Sequence, residues 1–144
     1  MQVQRMQSVH LPLFFELNFC FRSGIGPEVF GYISDDGDYT GNGSPTPAQL
    51  TFYKKHGFYI TTPDYILRPE VLESNFYAWR ATGDTKYYKR AQTAVQKFNS
   101  YVLLKNGGAV GLQDVDKPSS GQIDDTSSFW FAEVLKYLCV LTIP

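Results

Sequence analysis

Residues 69–102 read PEVLESNFYAWRATGDTKYYKRAQTAVQKFNSYV, and their periodicity decides the fold class. Val71, Leu72, Asn75, Phe76 and Trp79 recur at the spacing of a helix that buries one face. Pro69 suits the first helical position, where its missing N–H is not needed. Thr82-Gly83-Asp84 ends this helix: Gly83 can take the left-handed position past the last turn, and Asp84 can cap a second helix. That helix carries Tyr87, Tyr88, Ala91, Ala94, Val95, Phe98 and Val102 on one side. Lys86, Lys89, Arg90 and Lys97 lie on or near the other. Two amphipathic helices joined by about three residues make an αα hairpin. Neither buries its stripe alone, so further helices must pack on the pair.

The hairpin is preceded by a charged entry, YILRPEVLES at residues 65–74. Arg68 stands before a proline and is pushed to an extended conformation, outside the helix. Glu70 falls in the first turn, where the helix dipole favours a carboxylate. Glu70 and Glu73 are three apart and share a face. On spacing alone the plainer reading is a capped surface helix with solvated acids, because charged side chains are mostly exposed. The last apolar segment, FWFAEVLKYLCVL at residues 129–141, is apolar nearly all round and is expected to be a central helix. Several N-cap candidates, Asp125 to Ser128, precede it. Glu133 interrupts it. A carboxylate buried without a partner costs several kcal/mol, so Glu133 either pairs with a cation such as Arg68 or lines a polar site.

Elsewhere the chain is less regular. Its 144 residues suit one domain of ordinary size. The net charge of -1 offers no basic field to nucleic acid. Aromatics make up 16% of the chain, enough for a substantial core or for stacking surfaces. Cys20 and Cys139, far apart, form no metal motif and leave the redox compartment open. Residues 1–22 have no clean period, no targeting signal is convincing, and no run approaches the roughly 20 apolar residues that span a bilayer. The sequence therefore reads as a soluble chain or as a piece lacking its targeting segment. His10 is assigned no role.

GIGPEVF at residues 24–30 is a Gly/Pro turn that delivers Glu28; it lacks the third glycine and the Gly-Lys-Ser/Thr of phosphate loops. Residues 34–48 are a loop by composition. Within it Asp35-Asp36-Gly37-Asp38 lacks the alternating ligands and closing glutamate of a calcium loop. Asn42-Gly43-Ser44 fits the glycosylation acceptor pattern. Residues 52–65 are read as a strand or hairpin near Gly57–Thr61, and Ala109–Val115 as part of a second turn or hairpin.

Four blocks in this order, GIGPEVF, YILRPEVLES, FYAWRATGDTKY at residues 76–87 and SFWFAEVLKYL at residues 128–138, resemble the class I α-1,2-mannosidases of glycoside hydrolase family 47, in particular their fungal branch. The second and fourth blocks are the most specific. The resemblance implies a mainly α fold: part of an (α/α) barrel of helical hairpins with short β-hairpins in the loops, incomplete in this chain. It divides the chain into an unmatched tail at 1–22 and a partial catalytic domain at 23–144.

The same resemblance implies calcium-dependent, inverting hydrolysis of terminal α-1,2-linked mannose from high-mannose N-glycans, in the secretory pathway (endoplasmic reticulum or Golgi) or outside the cell. Inversion needs an acid on the leaving oxygen and a base that activates water on the opposite face. By resemblance Glu70 is the base, Arg68 contacts the sugar, and Phe129 stacks on the mannose ring. Glu28, Glu73 and Glu133 line the pocket, and Glu70, Glu73 and Glu133 hold waters around the calcium. The family's acid and its calcium-binding threonine lie in segments with no match here. The expectation is a truncated piece, inactive by itself. A mannose-binding, lectin-like relative in glycoprotein quality control is the alternative, needing Arg68 and Phe129 but no acid.

Overall fold

The computed structural model describes residues 21–41 and 43–142, with the side chain of Thr142 left out. His10, Cys20 and the acceptor Asn42 lie outside these residues. The elements in chain order are β1 (Val29–Gly31), α1 (Pro47–His56), β2 (Tyr59–Thr62), α2 (Glu70–Thr82), α3 (Thr85–Tyr101), β3 (Gly111–Leu112) and β4 (Gln122–Ile123). A π-helical turn (Trp130–Val134) and α4 (Leu135–Thr142) follow. The chain is mainly helical with short antiparallel strand pairs, as the sequence leads one to expect.

The α2–α3 hairpin forms as read. Gly83 has φ 67° and its N–H donates to the Trp79 carbonyl at 2.8 Å, a turn a Cβ would strain. Asp84 caps α3 by accepting from the Lys86 N–H at 2.9 Å. The hydrogen bonds from the Lys86 backbone and side chain, helped by its charge, hold the Asp84 carboxyl below the usual range. Helix α2 starts at Glu70 with Pro69 at the N-cap, one residue later than expected, within the ordinary uncertainty of helix ends. Helices α2, α3 and α4 pack on one another around Leu72, Ala91, Phe98, Trp130, Val134 and Tyr137.

Two expectations are corrected. The segment read as loop passing into strand contains α1. Its capping box is complete: Thr46 Oγ1 accepts from the Gln49 N–H, and Gln49 Oε1 accepts from the Thr46 N–H at 2.7 Å. No residue of α1 is buried, so it has no apolar stripe to betray it. Its Gln49 side chain donates instead to the Ile60 carbonyl, and Phe52 meets Phe58 edge-on. The terminal helix, in turn, is not central. It buries Trp130, Val134, Tyr137 and Leu141 on one side, while Phe131 stays 68% exposed on the other.

Candidate functional site

Strand pairing builds the site first. β1 runs antiparallel to β2, and just before it the Glu28 N–H donates to the Asp64 carbonyl at 2.7 Å. This fixes Glu28 four residues' length from Arg68, although the two are forty positions apart in the chain. Tyr65 next exchanges backbone hydrogen bonds with Leu112, at 3.0 and 2.9 Å. The chain must then turn sharply into α2. It does so at Leu67, whose φ of 65° is rare for a bulky residue and whose side chain is fully buried. Packing holds this strained conformation in place, as is common at functional sites. Arg68 sits at the bend, and the Tyr65 hydroxyl donates to its carbonyl at 3.1 Å.

Arg68 organises what surrounds it. Its Nε donates to Glu28 Oε1, its Nη1 reaches Glu70 Oε1 at 3.5 Å, and its guanidinium lies 5.2 Å from the centre of the Phe129 ring. The bond to Glu28, reinforced by both carboxylate charges, raises its pKa above the ordinary arginine value. The second Glu28 oxygen, Oε2, is buried without a hydrogen-bond partner. Side-chain exposure is 13% for Glu28, 41% for Arg68 and 50% for Glu70. Burial, followed by the charges of Glu70 and Glu28, pushes the Tyr65 hydroxyl far above its usual range. Tyr65 therefore stays protonated and remains a donor.

A cleft of about 310 Å³ opens beside this cluster. Glu28, Arg68 and Glu70 form its polar end, and Leu72, Ala94 and Phe98 are among its apolar walls. Two carboxylates and one guanidinium, with a buried acceptor oxygen among them, suit a neutral ligand rich in hydroxyl groups. The half-exposed Glu70 is reachable by water, as a general base must be.

Of the six residues singled out in the sequence, Arg68, Glu70, Glu28 and Phe129 come together. Glu73 lies one turn beyond Glu70 on α2 and accepts a hydrogen bond from the Tyr137 hydroxyl at 2.7 Å. Glu133 stands apart, half-buried on the π-helical turn with no hydrogen bond or ion pair among the described residues. The expected pairing of Glu133 with Arg68 is not found. Partial exposure keeps that carboxylate hydrated, and Arg68 is committed to Glu28 and Glu70. Among the described residues no group of three or more His, Cys, Asp or Glu could hold a metal ion. No helix among them is long and apolar enough to cross a membrane. Reading the sequence missed Tyr65, Leu67 and Tyr137. Tyr137 carried one usable signal, its place at helical spacing from Trp130 and Val134.

A family model described as Glycosyl hydrolase family 47 matches residues 12–142. The mannosyl-oligosaccharide alpha-1,2-mannosidase 1B of Emericella nidulans is 44% identical over 123 residues, which is 85% of this chain and 23% of that protein. The probable mannosyl-oligosaccharide alpha-1,2-mannosidase 1B of Aspergillus niger is 44% identical over 116 residues, 80% of this chain and 21% of that protein. Among solved structures, an alpha-1,2-mannosidase from Trichoderma reesei, an (α/α)7 barrel, matches with a TM-score of 0.80 and 35% identity. That match covers 99% of this chain and 30% of the other. The chain thus spans less than a quarter of the two curated relatives and under a third of the solved one.

Proposed function

Because the chain belongs to glycosyl hydrolase family 47, we propose that it forms the base side of an α-1,2-mannosidase site that cleaves terminal α-1,2-linked mannose from high-mannose N-glycans with inversion. The observation that carries this reading is the cluster of Arg68, Glu28 and Glu70 at one end of the cleft, with the Phe129 ring against the Arg68 guanidinium.

In this mechanism Phe129 offers its ring to the apolar face of the mannose, and Arg68 donates to sugar hydroxyls. Glu28, through the oxygen that accepts from Arg68, holds the guanidinium in place for those hydroxyls. Glu70 takes the proton of the attacking water, on the face of the ring opposite the leaving oxygen. General acid–base catalysis of this kind contributes about 10²- to 10⁴-fold. Calcium belongs to the proposal as cofactor, supplying a charge that orients sugar hydroxyls and water. By the family resemblance Glu70, Glu73 and Glu133 would touch its water shell; among the described residues they form no direct ligand set, and Glu133 stands apart from the other two. On the same reading the protein acts in the secretory pathway or outside the cell, where high-mannose N-glycans are met.

The test is binding and cleavage of α-1,2-mannobiose in the presence of calcium, by calorimetry and by release of free mannose. Binding is expected in the wild-type chain and is lost in Phe129→Ala and in Arg68→Ala. Affinity indifferent to both substitutions would sink the proposal. Any turnover should vanish in Glu70→Gln while binding persists, because that change removes the base and keeps the shape.

A further inference from the structure

Helix α2 presents Glu70, Glu73 and Tyr77 at helical spacing, and the terminal helix reaches across to this face through one polar contact. The Tyr137 hydroxyl donates to Glu73 Oε1 at 2.7 Å, between residues sixty-four positions apart. The Tyr137 ring is only 6% exposed and tilts against the Phe76 ring at 6.0 Å. Its neighbours in the buried stripe, Val134 and Leu141, are fully or almost fully enclosed. Burial of the ring fixes where the hydroxyl sits, so Glu73 meets a donor held in place by the terminal helix. A half-buried glutamate without such a donor keeps rotamer freedom that has to be frozen when it engages a ligand.

We infer that Tyr137 is a positioning residue: its hydroxyl holds the Glu73 carboxylate in one rotamer beside Glu70, so that the terminal helix sets the geometry of the acidic face. The functional side of this inference rests on the proposed mannosidase site. One carboxylate oxygen is taken by the phenol, and the other is left to accept from water or sugar. The hydrogen bond to Glu73, followed by burial and by Tyr77, keeps the Tyr137 hydroxyl protonated well above its usual range, so the donor persists at any working pH. Partners that orient a site carboxylate typically change activity or metal affinity about 10- to 100-fold when removed.

The experiment compares the 144-residue chain with Tyr137→Phe, Glu73→Gln and the double variant. Glu73 is followed through its side-chain carboxyl carbon resonance in ¹³C-labelled protein, identified by its loss in Glu73→Gln. Affinity for α-1,2-mannobiose with calcium is measured in parallel. Tyr137→Phe is expected to move the Glu73 resonance, to weaken sugar binding about tenfold or more, and to add nothing in the Glu73→Gln background. A lower unfolding temperature with unchanged resonance and unchanged affinity would make Tyr137 a packing contact only and overturn the inference. If the wild-type chain binds no mannobiose, the proposed function falls instead. The resonance then decides alone: moved, it supports positioning; unmoved, it refutes it.

Discussion

Replacing Arg68 by methionine separates charge from packing at the centre of the cluster. Methionine is long enough to keep contact with the Phe129 ring, and its sulfur retains part of that attraction. It takes the guanidinium from Glu28, whose Oε2 already lacks a partner, and so leaves both oxygens of a carboxylate only 13% exposed without a donor. A hydrogen bond to a charged group is worth about 1.5–3 kcal/mol. Because Arg68 is itself 41% exposed, solvent screening places this one near the lower end. The Glu70 contact, at 3.5 Å between exposed groups, adds roughly 0–1 kcal/mol. The expected loss is about 2 kcal/mol, or roughly 6 °C in the unfolding midpoint of a chain this size. Calorimetry on wild type, Arg68→Met, Glu28→Gln and the double variant gives the cycle. The double variant should recover about 1 kcal/mol of the summed single losses, since it leaves no unpaired buried charge. Strictly additive losses would mean that Glu28 and Arg68 are not partners, and the construction of the site would fail with them.

Leu67 offers an unusual ordering of stabilities: Leu67→Ala should lose about 2–5 kcal/mol for the emptied core position, while Leu67→Gly should be more stable than Leu67→Ala by about 1 kcal/mol, because glycine relaxes at φ 65°. The reverse order in urea titrations would argue against the strained turn that aims Arg68. At Gly111 an added Cβ would lie 2.5 Å from the Tyr65 carbonyl oxygen, so Gly111→Ala should break the Tyr65–Leu112 bridge and weaken sugar binding together with stability. Retained affinity would show that the bridge does not hold the Arg68 bend. Raised tyrosine values give a pH signature. For Tyr65 and Tyr137 the folded form holds its proton above the unfolded value of 10.0, so their stabilising contribution is full below that pH and drains away as pH rises beyond it. Tyr137→Phe should flatten the alkaline fall in stability measured by denaturant titration, and an unchanged slope would contradict the Glu73 contact.

Local patterns were legible wherever one residue's choice was made by its near neighbours. The α2–α3 hairpin follows from an apolar stripe, and its turn from Gly83 and Asp84, because helical periodicity and capping are short-range effects. The Thr46–Gln49 capping box was equally local, yet α1 went unread because a helix with no buried residue lacks the stripe that announces one. The terminal helix shows the opposite failure. Its composition says apolar all round, but burial belongs to contacts, and the face carrying Trp130, Val134, Tyr137 and Leu141 is the one enclosed among the described residues.

What the sequence determined by itself was the helical hairpin, the exclusion of Arg68 from the helix that follows Pro69, and four motif blocks whose order names a family. What only the tertiary structure decided was which charges meet. Glu28 reaches Arg68 through strand pairing across forty positions, and Tyr137 reaches Glu73 across sixty-four. Glu133, just four residues short of Tyr137, meets neither. Charge pairing is fixed by distance and desolvation in three dimensions, and linear spacing carries no information about either beyond a helix turn or two.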